Sequence, residues 1–203
     1  MIVINDGSTD DTVQKALRAG AIVVSHKVQQ GVGSAVRNGY LHALKRADPE
    51  DIIINLDGDG QHRPQDIPRL LQPIQDGNAD LVIGSRFLHR SKKKWYPIVR
   101  TLGNHFFSLF ISILIRVKIT DAQSGFRAIK AKYISRFDMR CKFTNRQEMI
   151  MQAYHLGLQI AEIPIDVEYR KFGVSFLGTI KNKLRFFFTV FRVILRTYFY
   201  PPI

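Results

Sequence analysis

The chain is poor in cysteine, in acidic residues and in long apolar runs, and each shortage excludes a class of protein. Cys141 is the one cysteine among 203 residues, so internal disulfides are excluded and a reducing compartment is favoured. The 17 acidic residues stand against 30 Lys and Arg, a net charge of +13. This predicts an anionic partner, such as nucleic acid, a membrane surface or a phosphorylated substrate. No apolar run approaches the ~18–20 residues that span a bilayer.

Apolar and polar stretches alternate through the first half of the chain in the manner of an α/β protein. Hydrophobic residues make up 45% of the chain, enough for a globular domain with its own core. Short apolar runs predict strands, and the segments between them have helical periodicity. This alternation predicts a mostly parallel sheet with helices on both faces. The predicted strands are 2–4, 21–25, 51–56 and 80–84. Helices are predicted from the turn 5–10 to about residue 18, over 31–46 and from Pro64 to 74.

The second half has a different pattern, with longer helices and more loop. It is interpreted as a basic loop over 87–96, an apolar helix over about 97–115, a loop over 120–127, a helix around 147–156, paired strands near 159–163 and 166–170, and an aromatic and basic segment over 178–200.

Two carboxylates, Asp57 and Asp59, follow the apolar run 52–56 at the end of a predicted strand. Open α/β sheets bind ligands at this edge. A hard divalent cation takes a few protein oxygens and completes its shell with substrate phosphates. Asp57, Asp59 and the amide oxygen of Gln61 therefore form a candidate metal site. The alternative is a polar turn that caps the following helix.

A second acidic turn, 6–10, follows the first predicted strand. Oxygen-bearing residues alternate from Asp6 as in a calcium loop, but the twelfth position is Leu17, which excludes an EF-hand. The turn is interpreted as a helix cap or as a carboxylate, Asp6, that contacts a ribose or base. The two interpretations are compatible.

Several blocks of the chain, taken in order, resemble family 2 glycosyltransferases of the GT-A fold. Residues 3–12 are similar to the block V-x-D/N-D-G-S-T-D-x-T, and 56–62 to the family's metal motif. Residues 83–87, 124–128, and 162–164 with 169–175 are similar to three further blocks. The matches cover about residues 1–176. The branch that they resemble is that of dolichol- or polyprenyl-phosphate mannosyl- and glucosyltransferases.

The resemblance implies a role for particular residues. Asp6 contacts the nucleotide, Asp57 and Asp59 lie at a diphosphate bridged by Mg²⁺ or Mn²⁺, and Gln61 is a further metal ligand. Arg86, Arg100 and Asn104 hold the lipid phosphate, and Arg170 lies near diphosphate and acceptor. Arg127 and Ser175 belong to matching blocks and are expected to bind substrate. The implied catalytic residues are Asp59, Arg86 and Arg170.

The implied reaction moves a hexose from a nucleotide-diphosphate sugar to a polyprenyl or dolichyl phosphate, with inversion at the anomeric carbon. A phosphate monoester has a second pKa of ~6 and is largely dianionic at neutral pH. It therefore needs positioning and positive charge rather than a strong base, and arginine suits phosphate. Glu148 is a candidate base for an alcohol acceptor, but we expect an ordinary helix surface residue there. GDP-mannose, UDP-glucose and UDP-N-acetylhexosamine all stay open as donors.

The chain departs from the family pattern at its start. Relatives begin with a strand, a P-x-Y-N-E segment and a helix that help to hold the base, and this chain starts inside the following strand. Either the sequence is a fragment, or the protein lacks a full donor pocket. The alternative function is a noncatalytic truncated relative that binds nucleotide sugar or a partner membrane protein. Nucleic-acid binding rests on charge alone, and no RNP-like, zinc-finger or helix-turn-helix signature supports it.

The basic and aromatic tail predicts an amphipathic helix at a membrane interface. Its cations form one stripe and its apolar residues fill most of the remaining surface, which suits anionic lipid. We expect a glycosyltransferase domain over 1–176, an interfacial helix over 177–203, and a peripheral location on the cytoplasmic face of a membrane. A core-packed helix, or the start of a tail that leads into membrane spans, is the alternative. The stripe consists of Lys181, Arg185, Arg192 and Arg196.

Overall fold

The computed structural model describes residues 1–88, 98–141, 145–168 and 180–201, without the side chains of 98–100, 180 and 181. The strands are β1 Ile2–Asn5, β2 Ile22–Ser25, β3 Ile52–Asn55, β4 Leu81–Ser85, β5 Arg127–Lys130 and β6 Ile160–Pro164. The helices are α1 Thr12–Arg18, α2 Val32–Leu44, α3 Ile67–Gln75, α4 Ile98–Ile115, α5 Ala131–Ile134, α6 Arg146–His155 and α7 Ile180–Phe199, with a 3₁₀ turn at Pro64–Asp66.

The described strands form a parallel pair, β1 with β2, and a four-stranded sheet in the order β3-β5-β4-β6. Strand β5 runs antiparallel to both β3 and β4, whereas β4 and β6 are parallel. The predicted sheet is therefore correct in class, but the prediction missed β5, which separates two strands of like direction. The predicted pairing of 159–163 with 166–170 is not seen among the described residues: β6 pairs with β4, and Val167 makes an isolated bridge to His62. Residues 169 and 170 of the second predicted strand lie outside the described part.

Helices cover both faces of the four-stranded sheet, as the alternation predicted. Side chains of successive strand residues point to opposite faces, so Leu81 and Ile83 join one core cluster and Val82 joins the other. The first cluster packs under α2, α4, α6 and α7, and the second packs under α3. Strand β4 is buried along its whole length, which explains its continuous apolar sequence.

Helix α7 contributes to the first core cluster. It packs against α4 and α6, and Val190, Val193 and Ile194 are buried there. The core-packed alternative therefore describes the inner face of α7, while Leu184, Phe187 and Phe188 are exposed. None of the described helices combines the length and the apolar character needed to cross a bilayer. The division of the chain at residue 176 stays a prediction.

Candidate active site

One edge of the four-stranded sheet collects most of the described candidate residues. Strands β3 and β4 end there, and β5 begins there because it runs in the opposite direction. The register places Asn55 and Ile83 opposite Arg127. The turn after β3 carries Asp57 and Asp59, Arg86 follows β4, and the loop 120–126 leads into β5. The antiparallel strand thus brings its own amino-terminal loop to the edge where α/β sheets bind ligands.

Asp57 forms an ion pair with Arg146, the first residue of α6. The Nη2 atom of Arg146 donates to both carboxylate oxygens at 2.7 and 2.8 Å, and the Nε2 atom of His62 lies 3.8 Å from Oδ2. Burial raises the pKa of Asp57, but Arg146 and His62 outweigh it and hold the pKa of that carboxyl well below its ordinary value. Asp57 is therefore a carboxylate at neutral pH.

Gly125 forms a wall beside Asp57. A Cβ atom at this position would overlap the Asp57 carboxylate, so only glycine permits the approach. The Nδ2 atom of Asn55 donates to the Gly125 carbonyl at 2.5 Å, which holds the wall in place. The glycine of the Ser-Gly-Phe-Arg block therefore leaves the space that the Asp57 carboxylate occupies.

The acidic turn fits a cation that is shared with a substrate. Asp57 and Asp59 lie two residues apart, and Asp59 Oδ1 accepts a hydrogen bond from the backbone N–H of Gln61 at 3.1 Å. No group of three or more His, Cys, Asp or Glu side chains within the described residues could hold a metal. Two carboxylates and an amide fit Mg²⁺ or Mn²⁺ when phosphate oxygens supply the remaining ligands. The assignment of Asp57, Asp59 and Gln61 as metal ligands stays a prediction.

Asp6 closes the loop 26–31 onto the end of β1. Its Oδ1 accepts hydrogen bonds from the Gln30 amide at 2.8 Å and from His26 Nδ1 at 2.7 Å, and its Oδ2 accepts one from the Gly31 amide at 2.8 Å. Burial raises the pKa of Asp6, but these three partners outweigh it and hold the pKa below its ordinary value. Asn38 Nδ2 lies 2.7 Å from His26 Nε2, so the His26 ring lies between Asp6 and Asn38. The predicted contact with a nucleotide is not tested by this arrangement.

Arg86 is held by Asp121, which the sequence analysis did not assign. The guanidinium Nε and Nη2 atoms donate to the two oxygens of Asp121 at 2.6 and 2.8 Å, and Asp121 is 0% exposed. Glu162 in turn accepts hydrogen bonds from the Asp121 amide at 3.0 Å and from the Thr120 amide at 2.8 Å. Burial raises the pKa of Glu162 although these hydrogen bonds oppose the rise. Both acids lie in or beside the matching blocks, which was the available signal.

Asn104 and Arg127 are buried against the loop 120–124, and each is 1% exposed. Asn104 Nδ2 donates to the Thr120 carbonyl at 3.1 Å. Arg127 donates to three main-chain carbonyls, those of Ser124 at 2.9 Å, Ala122 at 3.0 Å and Arg146 at 2.5 Å. Burial lowers the pKa of Arg127 to about 10. The structure therefore places both side chains as supports of the loop, and the substrate contact expected of them would require them to leave these partners.

The remaining predicted site residues lie outside what the structure describes. Arg170 and Ser175 fall in the undescribed segment 169–179, and the side chain of Arg100, at the start of α4, is also outside the described part. Their predicted roles stay predictions.

Glu148 was expected on a helix surface, and this was wrong. It is 0% exposed, and its Oε1 atom accepts a hydrogen bond from Arg196 of α7 at 2.5 Å. The Cys141 amide donates to Oε2 at 3.2 Å. Burial raises the pKa of Glu148, although the contacts with Cys141 and Arg196 oppose the rise. The helix is buried on nearly every side, so its polar sequence did not indicate exposure.

The chain is similar to known glycosyltransferases in sequence and in fold. The family model described as glycosyl transferase family 2 matches residues 1–137. An undecaprenyl-phosphate mannosyltransferase of Micrococcus luteus is 30% identical, over 86% of this chain and 74% of the relative. A UDP-N-acetylglucosamine–dolichyl-phosphate N-acetylglucosaminyltransferase of Methanococcus voltae is 29% identical, over 86% of this chain and 77% of the relative.

A solved structure shows the same fold at low sequence identity. It is the glucosyl-3-phosphoglycerate synthase of Mycobacterium tuberculosis in complex with Mn²⁺, UDP-glucose and phosphoglyceric acid. The TM-score is 0.69 at 21% identity, and the match covers 98% of this chain and 69% of that one. The likeness supports a GT-A-like α/β fold for this chain.

Proposed function

The chain belongs to glycosyl transferase family 2, and on that premise we propose that it transfers a hexose from a nucleotide-diphosphate sugar to a polyprenyl or dolichyl phosphate. One observation carries the proposal: a turn with two carboxylates and an arginine suited to phosphate lie at the same edge of one sheet. The acids suit a cation-bound diphosphate, and the arginine suits a second anionic group. The names of the relatives from Micrococcus luteus and Methanococcus voltae support a lipid phosphate as that group.

On the donor side, Asp57, Asp59 and Gln61 would hold Mg²⁺ or Mn²⁺. When bound, the cation neutralises the negative charge that develops on the departing nucleoside diphosphate. Gly125 keeps the Asp57 carboxylate in place from one side. Asp6 fixes the loop 26–31, and we assign that loop to the nucleotide end of the donor.

On the acceptor side, Arg86 supplies positive charge at the end of β4. Asp121 holds its guanidinium through two hydrogen bonds, and Glu162 holds the backbone that carries Asp121. A phosphate that approaches Arg86 therefore meets a pre-positioned group. Because the acceptor is already anionic, the reaction needs no strong general base. A single in-line displacement at the anomeric carbon would invert its configuration.

An exposed apolar surface supports peripheral binding to a membrane, which we place at its cytoplasmic face. Helices α4 and α7 pack side by side, and the rings of Phe106 and Phe187 lie 5.3 Å apart. Contiguous exposed apolar area of this kind marks protein or membrane contact, and exposed Arg185 and Arg192 suit anionic lipid. We call this surface the α4–α7 face; its exposed apolar residues are Leu102, Phe106, Leu109, Ile113, Leu184, Phe187 and Phe188.

A transfer assay tests the proposal directly. The full chain is incubated with GDP-mannose, UDP-glucose or UDP-N-acetylglucosamine, with undecaprenyl or dolichyl phosphate in vesicles, and with Mn²⁺ or Mg²⁺. Mass spectrometry of the lipid fraction is expected to show one hexosylated phosphate, and NMR is expected to show an inverted anomeric centre. Asp59→Asn serves as the inactive control, and a chelator should abolish transfer by the parent.

The outcomes separate an enzyme from a binding protein. Nucleotide-sugar binding without transfer from any donor would contradict the proposal and favour the noncatalytic alternative. Equal transfer with and without chelator would contradict the metal assignment while it leaves the reaction in place.

A further inference from the structure

Arg146, the first residue of α6, is a charged residue in contact with the acidic turn, and the family resemblance gives it no role. It lies 89 positions from Asp57 in sequence and binds both of its carboxylate oxygens through one nitrogen. The guanidinium therefore occupies the carboxylate that the proposed function assigns to a divalent cation. A cation on Asp57 would compete with the guanidinium in its present position, because two like charges would share one carboxylate and repel each other.

We infer that Arg146 is a donor-binding residue that exchanges Asp57 for the diphosphate of the nucleotide sugar when a divalent cation binds. The inference rests on the proposed function and names a further residue of the same site. Before the donor arrives, Arg146 neutralises Asp57. With a cation on the carboxylate, the Arg146 guanidinium would be free to bind phosphate oxygens of the donor, and guanidinium geometry suits phosphate.

The Arg146 backbone is anchored, whereas its side chain is partly exposed. Its carbonyl accepts a hydrogen bond from the buried Arg127 at 2.5 Å, and Asn145 before it is buried. The Arg146 side chain is 25% exposed. The exchange would therefore move the side chain about an anchored backbone rather than shift α6.

An unused donor on Arg146 points to an additional acceptor. The Nε atom of Arg146 is buried and has no hydrogen-bond partner among the described residues. Buried polar atoms normally have a partner, and arginine carries donors only. A phosphate oxygen is an acceptor that would satisfy this atom, and the carboxylate of Asp57 does not.

Exchange predicts opposite effects of one substitution on two ligands. Removal of the guanidinium frees Asp57, so Arg146→Gln should bind Mn²⁺ alone about tenfold more tightly. The same variant lacks a phosphate partner, so it should bind UDP or GDP at saturating Mn²⁺ about tenfold to a hundredfold more weakly, the range for charge-assisted hydrogen bonds. An arginine that only supports the fold would weaken both affinities, and an uninvolved one would change neither.

The experiment measures binding rather than sugar transfer. Mn²⁺ binding to the full chain is followed by electron paramagnetic resonance, and nucleotide binding by calorimetry. Arg69→Gln is the matched control, because Arg69 pairs with Asp66 at 3.2 Å and is more than half exposed; it should leave both affinities unchanged. Arg146→Lys keeps a point charge and should lie between the parent and Arg146→Gln.

Unchanged or weaker Mn²⁺ binding by Arg146→Gln would overturn the exchange, and so would unchanged nucleotide affinity. If that variant does not fold, NMR of the arginine Nε–H groups in the parent gives the answer: Mg²⁺ with UDP should shift the Arg146 signal, and an unshifted signal overturns the inference. A parent that shows exchange but transfers no sugar contradicts the proposed function alone. Transfer with no exchange contradicts this inference alone.

Discussion

Glu148 and Arg196 join α6 to α7 through an ion pair of 2.5 Å in which the carboxylate is 0% exposed and the arginine side chain is 44% exposed. Helix α6 also begins with Arg146, which holds Asp57. The first turn of α6 therefore contacts two regions. Arg146 contacts the acidic turn, and Glu148 contacts α7, which belongs to the α4–α7 face. Helix α6 therefore connects the acidic turn and the α4–α7 face.

Loss of Arg196 should destabilise the fold more than loss of the Glu148 charge. Arg196→Met leaves a buried carboxylate without its cation and should lower the free energy of unfolding by about 3 kcal/mol. Glu148→Gln leaves a cation that is partly in water and removes a charge that burial penalises, so it should cost less than about 1 kcal/mol. Urea unfolding at neutral pH compares the two, and an equal or reversed order would contradict the assignment.

The Glu148 carboxyl should make stability depend on pH. Burial raises its pKa above the ordinary value of 4.5, so the folded state binds its proton more tightly than the unfolded state. Its contribution is fully present below 4.5 and is lost as pH rises through the higher folded pKa. The parent should therefore lose stability relative to Glu148→Gln as pH rises above 4.5. Unfolding curves of both proteins between about pH 4 and 8 test this, and a constant difference would contradict it.

Gly125→Ala should disrupt the acidic turn. The added Cβ would overlap the Asp57 carboxylate, so Asp57 and Arg146 must separate or shift, at a cost of about 1–3 kcal/mol. Loss of Mn²⁺-dependent nucleotide binding should accompany it. Gly103→Ala is the control, because no described residue comes within 4 Å of a Cβ there and alanine favours a helix by about 0.5–1 kcal/mol. Parent-like nucleotide binding by Gly125→Ala would contradict the close approach.

Arg86 and Asp121 should show strong coupling. Arg86→Met leaves the buried Asp121 carboxylate without its guanidinium, which should cost about 3–5 kcal/mol of stability. Asp121→Asn in the same chain should recover a large part of it. Neither Arg86→Met nor the double variant should transfer sugar to lipid phosphate at the parent rate, because both lack the acceptor arginine. Additive stability effects in the double-mutant cycle would exclude the coupling.

The α4–α7 face should carry membrane binding. Deletion of α7 would not test this, because Val190 and Ile194 belong to the core. The double variant Leu109→Glu with Phe188→Glu changes exposed positions alone and should weaken co-sedimentation with anionic vesicles at least tenfold, since each buried side chain contributes about 1.5–3 kcal/mol.

The matched control is Leu17→Glu, an equally exposed apolar position on α1, which should leave vesicle binding unchanged. High salt should release the parent only in part, because the apolar contribution is not screened. Full retention of the double variant on vesicles would show that another surface binds the membrane.

Local sequence signals were sufficient for much of the fold and for the acidic turn. The apolar run 52–56 followed by Asp57 and Gly58 determined a strand with carboxylates at its end, because strand and turn preferences act within a few residues. The alternation of strands and helices determined the α/β class in the same way. Strand β5 was missed because it is short and adjoins a loop, and its pairing of Ile52 with Lys130 has no local signature.

Only the tertiary structure decided which charges face each other. Arg146 meets Asp57 across 89 positions, and Arg196 meets Glu148 across 48. Arg127 and Glu148 are ordinary charged residues in sequence, yet both are buried, since packing supplies carbonyl oxygens to one and a guanidinium to the other. A charge can be buried only where partners compensate it. The partner of Glu148 comes from a distant segment, whereas Arg127 is held by the adjoining loop and by the Arg146 carbonyl. Chain topology rather than a local pattern sets the distant pairings.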